Sequence, residues 1–153
     1  MSPVLQARFV ACDRIIAQCD IDYQLLVAAD INEDFFVDYH NMRIVNSFLF
    51  NFSKLQDRIG AGLLKNVLYE LKEIDTLAIP MLDVLCLLEK LEIIDDATVW
   101  DELREARNVI AHDYPMEVSE RIATIHLIRD SYPTLKTIYY QLRAKMQQSV
   151  DVV

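Results

Sequence analysis

From Phe35 to Ile74 the apolar residues fall three or four apart without a break: Phe35, Tyr39, Met42, Val45, Leu49, Phe52, Leu55, Ile59, Leu63, Val67, Leu71, Ile74. A strand turns successive side chains to opposite faces with a period of two, so no sheet can gather this run on one side. A helix of 3.6 residues per turn does. The spacing predicts one long helix, bent if anywhere at Gly60 and Gly62. Two glycines and four prolines in 153 residues leave few places where strands could turn, so the chain reads as all-α.

The rest of the sequence divides around that helix. Residues 4–28 carry a second amphipathic pattern, closed by the polar "DINED". Pro80 suits the first turn of a short helix to about Leu91. "DDATVWDEL" supplies another start, with Asp96 as N-cap or Thr98 and Asp101 as a capping box. That helix should reach about Asp113, because Pro115 disfavours helical geometry at Tyr114. A last helix spans roughly 117–147 and meets Pro133, which should kink or split it. The expectation is an up-and-down bundle of about five helices, one domain over residues 1–148, with a frayed tail at 149–153.

An apolar fraction of 53% and a mean hydropathy of +0.14 are high for a small monomer, so part of the apolar surface is expected in an oligomer interface. No stretch long enough to span a membrane is free of charge, and the first residues lack the order of a signal peptide; a cytoplasmic location is expected. The net charge of −9 excludes a broad duplex-binding surface and leaves room only for a local basic cleft. Few aromatics look free to stack on unpaired bases. Cys12, Cys19 and Cys86 are an odd count without metal-ligand spacing, so no metal site or disulfide framework is expected. Cys12 and Cys19, seven apart, share a helix face and read as core.

The stretch "EARNVIAHDYP", residues 105–115, is the candidate site. On a helical wheel Val99, Trp100, Leu103, Ala106 and Ile110 form the packing face, and Asp101, Arg104, Asn108 and His112 form a polar strip beside it. Arg107 sits on the border, able to bury its stem and swing its guanidinium to the strip. A helix C-terminus favours a cation, and an imidazole there suits acid or base work near neutral pH. The same residues also complement a helix end by ordinary capping. One Arg, one Asn and one His make half a site for metal-free phosphodiester cleavage; a two-fold dimer apposing two copies would supply an acid and a base.

"ELREARNVIAHDYP" resembles the signature of HEPN-domain proteins of the HepT type: an Arg, four to six residues beginning with Asn or another polar residue, then His. Arg107, Asn108 and His112 match it, and Tyr114 matches the Tyr that follows by two in that subgroup. "FLFNFSKLQDRIG" and "LLEKLEIIDDATVWDELR" are similar too, so the likeness covers roughly residues 33–145. It implies a homodimeric bundle that cuts RNA without a metal or cofactor, as the toxin of a type VII toxin–antitoxin pair. It also implies a nucleotidyltransferase antitoxin (MNT type) that transfers AMP to the motif Tyr. Carried onto this chain, His112 is the acid or base, Arg107 stabilises phosphoryl charge, Asn108 orients His112 or the phosphate, Arg104 and Asp101 support them, and Tyr114 is the AMPylation site. The alternative role in this family is a non-catalytic subunit that binds the nucleotidyltransferase.

Overall fold

The computed structural model describes residues 1–151, with side chains through Ser149. Among these residues are six α-helices and no strand: α1 (Pro3–Ala28), α2 (Tyr39–Gly62), α3 (Leu64–Glu70), α4 (Met81–Lys90), α5 (Ala97–His112) and α6 (Val118–Asp151), with a 3-10 turn at Glu33–Val37. Only Leu63 separates α2 from α3. Its amide still bonds to the Ile59 carbonyl at 3.0 Å and its carbonyl accepts from Val67 at 2.8 Å, so the apolar stripe runs through the break. Counted as one segment, α2 and α3 complete the five-segment helical bundle expected from the spacing.

Two expectations need correcting. The stripe placed Phe35 in the long helix, yet α2 starts only after Asp38, whose carboxylate accepts the His40 amide at 2.9 Å. The preceding turn is capped by Asn32, and Phe35 enters the core from it. Side-chain caps of this kind offer the backbone an exit that apolar periodicity does not register. Pro133, in turn, does not split the last helix, since α6 continues through it to Asp151. The hydroxyls of Ser131 and Thr137 bond back to the Leu127 and Pro133 carbonyls at 2.7 and 2.9 Å. Tyr132 and Leu135, both buried, anchor either side. The tail expected from 149 is helical to Asp151; Val152 and Val153 lie outside the described residues.

Local signals account for the other ends. Ser2 caps α1, with Pro3 in its first turn. Asp96 caps α5, taking the Thr98 amide at 2.9 Å, which leaves Asp101 out of the cap. With few glycines available, α3 and α4 close on Lys72 and Glu92 in the left-handed region, φ 61° and 59°. Each closes with a six-to-one bond, Glu73 to the Leu68 carbonyl and Ile93 to the Leu88 carbonyl, both 2.9 Å.

Contacts along the helices fix their directions. Arg8 of α1 meets Gly62 near the end of α2, and Tyr23 meets Phe48, so α1 and α2 are antiparallel. Helix α6 lies antiparallel to α1 through two matching clusters seven residues apart. Tyr132 and Lys136 both bond to Asp20, at 2.7 and 2.9 Å. One repeat further on, Tyr139 and Arg143 both bond to Asp13. Cys12 and Cys19 are fully buried beside these clusters, the core role their spacing indicated. Burial pushes their thiols from an ordinary value of 9.0 up to about 11 and about 12. No helix among the described residues is long and apolar enough to cross a membrane.

Candidate functional site

Helix α5 carries the candidate residues, and its seat on α2 sets their geometry. Trp100, Leu103 and Ala106 are buried, and Val99 and Ile110 pack partly against the core. Asp101, Arg104, Asn108 and His112 are exposed along one edge, with Arg107 half-buried at its margin. This is the division expected from the wheel. The two helices pack tightly at Gly60, where a Cβ would stand 2.9 Å from the Trp100 ring. Any side chain there would drive against a buried indole, so glycine lets α5 lie close on α2.

That approach brings together Arg107 and Asp57, which the sequence reading had not paired. Arg107 donates through Nε at 2.8 Å and through Nη2 at 2.9 Å to the two carboxylate oxygens of Asp57. Two parallel bonds fix the guanidinium plane as one bond would not. These bonds, together with the carboxylate charge, hold Arg107 more firmly protonated than usual. Five N–H groups minus these two leave three to donate elsewhere, and the side chain is 27% exposed. Gly60 meeting Trp100 and Asp57 meeting Arg107 make the helices antiparallel here. Asp57 lies in the quoted "FLFNFSKLQDRIG", but nothing local marks it, because its partner is fifty residues away.

The remaining candidates are less tightly gathered. Arg104 pairs with Asp101 at 3.2 Å, both well exposed, so the two supporting residues engage each other rather than Arg107; a pair this solvated contributes little to stability. Asn108 and His112 make no side-chain hydrogen bond among the described residues and face outward from the last turns of α5. Tyr114, released by Pro115 as expected, folds its ring back against the core. Its hydroxyl is buried with no hydrogen-bond partner, and burial raises the phenol above its ordinary range. The Arg121 guanidinium lies 6.0 Å from the ring centre and bonds to the Pro115 carbonyl at 2.9 Å. Met116, next in the chain, is 85% exposed.

Beside the Arg107–Asp57 pair, α1 and α2 border an open hollow of about 470 Å³ lined by Arg8, Lys54, Asp57, Arg58, Ala61 and Gly62. Compared with family models, with curated proteins and with solved structures, the chain matches none.

Proposed function

We propose that this chain is a HepT-like HEPN endoribonuclease toxin, acting as a homodimer and restrained by a nucleotidyltransferase partner. The observation that carries the reading is Arg107 held in plane by Asp57, on the helix edge that also presents Asn108 and His112. Residue types and spacing supply the family likeness; a guanidinium fixed by Asp57 and an exposed imidazole further along the same helix support it.

In the proposed reaction a ribose 2′-oxygen attacks the adjacent phosphorus as a neutral imidazole of His112 takes the hydroxyl proton. The bond from phosphorus to the 5′-oxygen breaks, and that oxygen receives a proton from the second His112 of the dimer. The products are a 2′,3′-cyclic phosphate and a 5′-hydroxyl. Charge building on the non-bridging oxygens meets the free N–H groups of Arg107, already oriented and needing no rearrangement. Asn108 offers an amide to the phosphate or to the imidazole.

Restraint would act at Tyr114. Its phenol oxygen would bond to the α-phosphorus of ATP, pyrophosphate would leave, and the phenol proton would pass to solvent. The ring must first leave its seat. A buried hydroxyl without a partner costs about 1–3 kcal/mol, so burial holds this side chain less firmly than a bonded tyrosine. Once out, a phosphate and adenosine two residues from His112 would bring bulk and negative charge to where the substrate phosphate binds.

The net charge of −9 favours a second reading, a non-catalytic subunit that docks the nucleotidyltransferase. Expression in a host lacking the partner separates the two. Growth arrest by the native chain, relieved by His112→Ala with the protein still accumulating, is expected of the nuclease. No arrest, or arrest undiminished by His112→Ala, counts against it.

A further inference from the structure

The hollow between α1 and α2 gathers positive charge on a chain that has little to spare. The sequence holds 15 Lys and Arg against 24 Asp and Glu, yet Arg8, Lys54 and Arg58 line one cavity, and none of them makes an ion pair among the described residues. Arg8 is anchored by a single bond from Nη1 to the Gly62 carbonyl at 2.8 Å, which leaves most of its guanidinium open. The one carboxylate in the lining, Asp57, is already engaged by Arg107. Three cations line it against one carboxylate that Arg107 already neutralises, which makes this a positive hollow in an acidic molecule.

One turn before Lys54, Phe50 stands 64% exposed, with the Lys54 ammonium 5.8 Å from its ring centre. Placing a large aromatic in water has no packing benefit for the fold. An exposed ring beside cations is the minimum equipment for a single-stranded polynucleotide, a stacking face next to phosphate contacts. Few aromatics looked free for this from the sequence; Phe50 is one that is. A second copy of the chain is the poorer occupant, because a two-fold axis through the hollow would set these cations against themselves.

We infer that Arg8, Lys54 and Arg58 form a phosphate-binding groove for single-stranded RNA, with Phe50 stacking one base, leading the strand to Arg107 and His112. This rests on the nuclease reading for its direction, though the binding stands or falls separately. The test measures fluorescence anisotropy of a labelled ten-nucleotide oligouridylate with His112→Ala protein across a salt series, alongside cleavage of the same RNA by the native chain. With Lys54→Gln/Arg58→Gln, binding is expected to weaken about tenfold or more and the salt dependence to become shallower, because fewer counterions are released. Phe50→Ala is expected to weaken binding about tenfold, and far less for an oligomer lacking bases. Lys72→Gln/Lys90→Gln, an equal loss of charge outside the hollow, should change binding less than threefold. All the substituted residues are exposed, and melting curves check that the variants fold.

Binding by the hollow variants equal to that of the parent would overturn the groove. So would loss of a dimer in light scattering caused by these same substitutions, which would mark the face as an interface between copies. Cleavage by the native chain with binding indifferent to the hollow spares the nuclease and sinks the groove. Hollow-dependent binding without cleavage does the reverse.

Discussion

At the scale of single residues, Asp57 organises the candidate site. A guanidinium on a half-exposed arm samples many rotamers, and the paired bonds to Asp57 select one in which three N–H groups remain for an anion. Arg107→Ala is expected to lower RNA cleavage by about 10²–10³-fold, the usual loss when a positioned charge-stabilising donor is removed. Asp57→Ala should fall part of the way, with Asp57→Glu recovering some of it, because Asp57 acts through Arg107. Turnover measurements on folded variants decide; an Asp57→Ala enzyme as fast as the native one would remove Asp57 from the account. The cysteines give a simpler check at this scale. Cys86 is exposed while Cys12 and Cys19 are buried with raised thiols, so a thiol reagent at pH 8 is expected to label one cysteine promptly and the other two only on unfolding. The seven-residue spacing of Cys12 and Cys19 made their burial legible in the sequence. Asp57 was not legible, since the pairing depends on how two distant helices pack. The covered hydroxyl of Tyr114 was hidden for the same reason: Pro115 explains why the residue leaves the helix, and only the tertiary fold says where the ring goes.

At the scale of helices, legibility followed the locality of the signal. Pro80 and Asp96 act within one turn, and α4 and α5 begin where those residues place them. The start of α2 was missed because apolar spacing continues through Asp38 while its cap ends the register. Proline's local cost was overruled in α6 by packing on both sides of residue 133. That cost remains in the fold: Pro133→Ala, at an exposed position, is expected to stabilise the protein by roughly 1–3 kcal/mol in urea unfolding. Unchanged or lower stability would mean that the ring makes a compensating contact. Lys72 and Glu92 occupy a backbone region that disfavours a Cβ, so Lys72→Gly and Glu92→Gly should each be neutral to stabilising, by up to about 1 kcal/mol. Gly60 runs the other way. Alanine would gain about 1 kcal/mol of helix propensity, but its Cβ would stand 2.9 Å from a buried Trp100 ring, and overpacking of that kind costs about 1–3 kcal/mol. The expected net result is a destabilised protein in which α5 shifts and cleavage falls more than stability does.

At the scale of the whole molecule, the bundle is fastened across α1 and α6 by groups that must stay protonated. Burial, with the neighbouring Asp20 and Asp13, pushes Tyr132 and Tyr139 well above the ordinary tyrosine range. Burial likewise raises Cys12 to about 11 and Cys19 to about 12. Each group binds its proton more tightly folded than unfolded, so its contribution is complete below the unfolded value and is lost as pH rises through the folded one. Urea midpoints are therefore expected to show no pH dependence from these groups up to about pH 8, where their contribution is complete, and then to decline from about pH 9 upward. A midpoint flat to pH 11 would contradict the buried arrangement of the α1–α6 interface. The all-α class and the helical bundle were readable from the period of the long stripe together with the shortage of glycine and proline. The clusters joining Asp13 and Asp20 to α6 were not, because a heptad shared between two helices is visible only once they lie side by side.

The central claim is that the exposed edge of α5 cleaves RNA, and the chemical form of the product tests it most directly. Purified native chain, incubated with a single-stranded RNA in excess chelator, is expected to leave 2′,3′-cyclic phosphate and 5′-hydroxyl ends, with His112→Ala leaving the RNA intact. Intact RNA with the native chain, or the same ends formed equally fast by His112→Ala, would contradict it.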